Sequence, residues 1–193
     1  VSQRVIGELL AAHFDGLLTI DPHLHRTHSL AAIMRGIQVA SLSAAPVLAA
    51  ALSEAEDPLL VAPDGEARQW VERIAQRGGF EFILGKKRRI GDREVNLSIP
   101  DAERAHGRRV VWVDDLISTG ATLRVAARLL NNAGARSVEV LATHCLARKA
   151  DLEQLREAGV RSVRATDSVS SSAGTLSIAD LLAAEVRRQG WCQ

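Results

Sequence analysis

The stretch GRRVVWVDDLISTGATLRVAARLL, residues 107–130, decides the fold. An apolar run, Val110 to Val113, stops at two adjacent acids, Asp114 and Asp115. A short loop of small residues follows, Ser118 to Thr122, and then apolar residues recur at helical spacing from Leu123 to Leu130. A continuous apolar run without alternation predicts a strand covered on both faces, ended by the acid pair. A strand, a small-residue turn and an amphipathic helix in direct succession form half of a βαβ unit.

The same alternation extends in both directions. Short runs rich in Val, Ile and Leu at 16–20, 37–42, 58–63, 108–113, 137–143 and 161–166 predict strands. Helical patterns lie between and around them at 2–13, 44–54, 66–77, 121–133, 148–158 and 177–189. This order predicts an α/β fold with a mostly parallel sheet and helices on both faces. One segment breaks the alternation: FEFILGKKRRIGDREVNLSI, 80–99, reads as two β-like runs around a basic turn and predicts a protruding hairpin. The serine-rich DSVSSSAG, 167–174, reads as a polar loop.

Composition narrows the function classes. The chain has 193 residues, 47% of them hydrophobic, enough for one domain with a substantial core. A net charge of +1 argues against a nucleic-acid or anionic-membrane partner. Aromatic residues at 3%, with no Tyr, argue against base-stacking platforms. Cys145 and Cys192 form neither a metal spacing nor a disulfide framework, which fits a reducing, cytoplasmic setting. No apolar run reaches membrane-spanning length. The chain opens on Val1 and runs directly into a helical pattern, and we expect it to be a piece of a longer protein.

In an open α/β sheet the ligand lies beyond the carboxyl ends of the strands. There the sequence places DPHLHR, PDGEAR, DDLISTGAT, HCLA and TDSVSSS. The carboxylates of Asp114 and Asp115 suit vicinal sugar hydroxyls or a divalent cation. The backbone amides of Ser118, Thr119, Gly120, Ala121 and Thr122, at a helix start, suit an anion. Acids for a sugar beside amides for a phosphate point to a sugar phosphate; the plain alternative is a capped strand-to-helix turn. His23 and His25 also admit a structural role or a zinc pair, although no third ligand completes a zinc set by spacing. The basic run Lys86–Arg89 is by default a solvated surface or a nucleic-acid patch.

The segment VVWVDDLISTGATL resembles the phosphoribosyl pyrophosphate signature shared by type I phosphoribosyltransferases and ribose-phosphate pyrophosphokinases. LLTIDPHLHR, 17–26, is similar to the pyrophosphokinase segment that binds ATP phosphates and magnesium, which implies those roles for Asp21 and His23, with His25 and Arg26 secondary. GKKRRIGDREV, 85–95, resembles the family's flexible catalytic hairpin, and Lys86 and Arg88 match its Lys and Arg. VAPDGEARQW, 61–70, stands where the family has its pyrophosphate loop; Pro63 and Asp64 match, and Glu66 and Ala67 depart from the glycines usual there. The resemblance runs on through THCLA and ATDSV, is closest to the archaeal-like branch, and implies one phosphoribosyltransferase-like domain over 1–193. Residues 1–20 would complete an N-terminal domain absent from this chain.

What the resemblance implies is transfer of the diphosphoryl group of ATP to ribose 5-phosphate, giving phosphoribosyl pyrophosphate and AMP. Asp114, Asp115 and the loop 118–122 would bind ribose 5-phosphate, and Lys86 and Arg88 would stabilise the transferring group. Asp21, His23 and Asp64 would address the phosphates, with Mg2+ held at His23 and Asp64 in a homo-oligomer. A phosphoribosyltransferase that consumes phosphoribosyl pyrophosphate, a catalytically silent regulatory homologue and, remotely, a nucleic-acid-binding module are the rivals.

Overall fold

The computed structural model describes residues 2–24, 29–52, 57–90 and 94–191. His25 and Arg26, and the flap tip at Gly91–Arg93, lie outside the described residues. The chain divides into two compact units: Val1–Ala44 with Ile178–Gln193, and Ala45–Ser177.

The first unit holds helix α1 (Ser2–His13), strands β1 (Gly16–Ile20) and β2 (Gln38–Leu42), and helix α6 (Ala179–Gln189). The two strands pair with each other in parallel, from Gly16 opposite Gln38 to Ile20 opposite Leu42. A short 3-10 turn, Leu30–Ala32, separates them, started by the Ser29 hydroxyl accepting from the Ala31 amide. The indole of Trp191 donates to the Gln38 side chain, and the Trp191 ring packs beside Gly16.

The second unit is built on a six-stranded parallel sheet. Its strands are β3 (Leu59–Ala62), β4 (Phe82–Leu84), β7 (Arg109–Ile117), β8 (Ser137–Cys145), β9 (Val160–Thr166) and β10 (Gly174–Leu176), in the spatial order β10-β9-β8-β7-β3-β4. Helix α2 (Ala45–Ala50) precedes β3, and helices α3 (Arg68–Gly78), α4 (Ala121–Asn132) and α5 (Lys149–Glu157) lie between successive strands. Strands β5 (Lys86–Ile90) and β6 (Glu94–Ser98) form an antiparallel hairpin, with Arg88 opposite Asn96.

The core explains why the central strands read as unbroken apolar runs. Leu59 to Ala62 and Val110 to Val113 are buried throughout. On one face Trp112, Val110 and Val140 pack against Leu123, Ala126, Ala127 and Leu130 of α4 and Leu152 and Leu155 of α5. Leu97 and Ile99 join this cluster, so the hairpin is anchored to the core at its base. Among the described residues no helix is long and apolar enough to cross a membrane.

The structure departs from the sequence expectation in three places. The strand read as 108–113 continues to Ile117, because Asp114, Leu116 and Ile117 stay paired with Ala142, His144 and Cys145 of β8. The apolar run ends at Val113, but the backbone ladder does not depend on side-chain polarity. The run at 80–84 is not an arm of the hairpin: Phe82–Leu84 pairs in parallel with β3 at the sheet edge. The strands at 16–20 and 38–42 form their own sheet, and their partial burial distinguishes them from the fully buried β3.

Candidate functional site

The order of strands locates the crevice. From β3 the chain steps outward to β4, then returns to the other side of β3 as β7 and continues away through β8, β9 and β10. The direction therefore reverses between β3 and β7, and the loops that leave these two strands diverge to open a gap at their carboxyl ends. The loop after β3 carries Asp64; the end of β7 carries Asp114, Asp115 and the small-residue loop.

Asp114 and Asp115 are both half-buried. The Asp114 carboxylate turns back along its own strand. Its Oδ1 accepts from the Asp115 amide at 3.0 Å, and its Oδ2 lies 3.4 Å from the indole Nε1 of Trp112 on the same sheet face. Burial, followed by the charge of the adjacent Asp115, pushes the Asp114 carboxyl up to about 7, although the indole and the Asp115 amide pull the other way. A carboxyl held there can be ionised or protonated near neutral pH, so it can accept from a sugar hydroxyl or donate to one.

Beyond Ile117 the loop is open. Ser118, Thr119 and Ala121 are exposed and Thr122 is half-buried. Gly120 caps α4 in the left-handed conformation, φ 69 and ψ 12, and no side chain caps the helix start. A Cβ at Gly120 would meet Leu155 of α5 at 3.1 Å, so both conformation and packing call for glycine. The uncapped amides of the first turn carry the partial positive charge of a helix N-terminus, which suits an anion. From the other side Arg124 Nη1 donates to the carbonyl of Thr119 at 3.0 Å.

Asp64 already has a local task. Its Oδ1 accepts from the amides of Glu66 and Ala67 at 3.0 and 3.3 Å, stabilising the turn before α3 and leaving Oδ2 for another partner. The flap starts beside it: Gly85 donates its amide to Ala62 O at 2.8 Å, and a Cβ there would meet Pro63 O at 2.5 Å. Ala62, the last paired residue of β3, stands opposite Leu84, and Asp64 and Lys86 each follow two residues beyond that pair. Lys86 is exposed, and Arg88 follows two residues along the same strand. One sheet edge thus brings together Asp64, the base of the flap, the acid pair and the loop 118–122.

Asp21 and His23 belong to the first unit. Asp21 ends β1 at a positive φ of 35, and its Oδ2 accepts from the Ala44 amide at 2.9 Å; His23 is exposed. Among the described residues no cluster of three or more His, Cys, Asp or Glu is arranged to hold a metal ion. At the ends of β8 and β9, Ser168 Oγ donates to Thr143 O at 3.1 Å and stands 2.8 Å from His144 Nδ1. Sequence reasoning did not single out Trp112, Arg124, Leu155 or Gly85. Trp112 and Leu155 read as ordinary core and Gly85 as a loop glycine. Only Arg124, a cation in a first helical turn, carried a signal.

Comparison with known proteins gives consistent findings. A family model described as the phosphoribosyl transferase domain matches residues 36–179. Ribose-phosphate pyrophosphokinase 2 of Archaeoglobus fulgidus is 31% identical over 186 residues, 96% of this chain and 66% of that protein. Ribose-phosphate pyrophosphokinase of Methanothermobacter thermautotrophicus is 34% identical over 184 residues, 95% of this chain and 63% of that protein. The crystal structure of phosphoribosylpyrophosphate synthetase from Mycobacterium smegmatis aligns with a TM-score of 0.77 at 26% identity, over 96% of this chain and 62% of that one. The chain spans 62–66% of the length of these relatives.

Proposed function

The chain belongs to the phosphoribosyl transferase domain family, and from that premise we propose that it serves a ribose-phosphate diphosphokinase. The reaction moves the β,γ-diphosphoryl group of ATP to the anomeric hydroxyl of ribose 5-phosphate. The observation that carries this reading over a phosphoribosyltransferase is the extent of the likeness. The relatives named for the pyrophosphokinase activity align over 95–96% of the chain, a span that takes in DPHLHR and GKKRR as well as the loop after β7.

In this reading the ribose lies across Asp114 and Asp115, whose oxygens take its vicinal hydroxyls. The 5-phosphate sits on the amides of Thr119–Thr122, with the Ser118, Thr119 and Thr122 hydroxyls adding donors. The anomeric oxygen attacks the β-phosphorus, the bond from that phosphorus to the α,β-bridging oxygen breaks, AMP leaves, and the anomeric proton is released. Lys86 and Arg88 on the flap neutralise charge on the transferring oxygens; positioning and electrostatics carry the step without a covalent enzyme intermediate. Asp21 and His23 address the ATP phosphates.

Mg2+ prefers one or two carboxylates together with substrate phosphates over an all-protein cage. The remaining oxygen of Asp64 suits one place in such a partial donor set; His23 would be a further donor on the strength of the resemblance alone, and the ion would neutralise phosphate charge when bound. A homo-oligomer and a cytoplasmic setting complete the reading. The test is AMP release from ATP by the intact protein with Mg2+, with and without ribose 5-phosphate. Release that depends on the sugar phosphate is expected. Consumption of phosphoribosyl pyrophosphate with a free base, and no AMP from ATP, would replace the reading with a transferase.

A further inference from the structure

Helix α4 opens against the usual placement of charge. A helix N-terminus favours acids in its first turn and disfavours cations. The first turn here holds no acid, and Arg124 stands in it. Arg124 is half-buried, and its guanidinium reaches back over the loop to the Thr119 carbonyl, 3.0 Å from Nη1. Asp151 of α5 feels its charge, but that carboxylate is already engaged by the amide and the Nε of Arg148 at 3.0 and 3.1 Å. Among the described residues the hydrogen bond of this guanidinium therefore goes to the loop itself.

The consequence follows from peptide geometry. The structure has no cis peptide among the described residues, and in a trans peptide the carbonyl and the following N–H lie in one plane and point in opposite directions. Holding the Thr119 oxygen towards Arg124 turns the Gly120 N–H to the opposite side. Gly120 then reverses the chain at φ 69, and Leu155 beneath it closes the space into which the loop could sink.

We propose that Arg124 is a positioning residue for the phosphate end of the sugar phosphate. It keeps a loop carbonyl away from the anion, aims the Gly120 amide, and sets a cation where the helix end repels it until a phosphate arrives. This rests on the reading of residues 118–122 as the phosphate cradle. The apo helix is weakened by Arg124, and the bound state gains from it.

Calorimetric titration of the intact protein with ribose 5-phosphate and, separately, with inorganic phosphate tests this on Arg124→Met and Arg124→Lys. The Met variant should bind ribose 5-phosphate about tenfold more weakly, as loss of the charge-assisted contact that holds the Thr119 carbonyl implies. The Lys variant should stay within about threefold of the parent protein because it keeps the charge. The ligand-free Met variant should melt no lower than the parent, since the repulsion at the helix start is gone. Binding by the Met variant within about twofold of the parent, or an equal loss in both variants accompanied by a lower melting temperature, overturns the proposal. If the parent protein binds neither compound, the phosphate-cradle reading fails with it, a result distinct from a parent that binds and a variant that binds equally.

Discussion

Asp114→Asn removes a charge that burial and the neighbouring Asp115 disfavour. Burial and the Asp115 charge move this carboxyl from 3.8 to about 7. Each factor of ten in proton affinity is worth about 1.4 kcal/mol. Ionised Asp114 therefore weakens the fold by up to about 4 kcal/mol, and solvent screening at a half-buried site reduces this to about 2 kcal/mol. The sign follows from proton counting. The unfolded chain releases this proton near 3.8 and the folded one near 7, so between those values the folded state binds more protons. Stability falls as pH rises through that window and is level above it. Urea unfolding of the parent and of Asp114→Asn at pH 5, 6, 7 and 8 reads this directly. The advantage of the variant should grow by about 1–2 kcal/mol from pH 5 to pH 8. The same variant should lose affinity for ribose 5-phosphate, a trade of function against stability at one residue. An advantage that is constant with pH, or that shrinks as pH rises, would refute the assignment of a raised proton affinity to Asp114.

Three further outcomes follow from the same geometry. Lys86→Ala, at an exposed flap position, should lower turnover by about 10²-fold or more while the unfolding free energy changes by less than about 0.5 kcal/mol; steady-state AMP release beside urea unfolding curves measures both. Gly120→Ala, at φ 69 and against Leu155, should destabilise the protein by about 1–2 kcal/mol and weaken phosphate binding, read by thermal melts and calorimetry. Trp112→Phe keeps the core filled and removes the indole donor that lowers the proton affinity of Asp114. The pH midpoint for ribose 5-phosphate binding should therefore rise, which calorimetry across pH 6–9 detects.

Much of the second unit was legible because its elements repeat one local rule. Strands β3, β7 and β8 are buried on both faces, so their apolar runs are continuous and stand out from the amphipathic helices between them. The small loop before α4 was legible for a similar reason: a left-handed glycine and uncapped amides need small residues in a short stretch. Other features were less visible. The extension of β7 through Asp114 to Ile117 is set by pairing with β8, a partner far away in the chain. Phe82–Leu84 looked like a hairpin arm because a three-residue edge strand carries no pattern that tells parallel from antiparallel pairing. The raised proton affinity of Asp114 depends on the burial of its carboxylate beside the charge of Asp115, a packing that no spacing encodes. The support of the loop by Leu155 and Arg124 joins α5 and α4 to a turn, and only the unusual charge at Arg124 hinted at it.

A crystal structure of the intact protein with ribose 5-phosphate would show directly whether the sugar phosphate lies across the acid pair and the loop before α4. The phosphate should lie within hydrogen-bond reach of the Gly120, Ala121 and Thr122 amides, with the ribose hydroxyls on Asp114 and Asp115. A sugar phosphate lodged elsewhere, with both carboxylates still turned to protein partners and the loop amides facing only solvent, would contradict it.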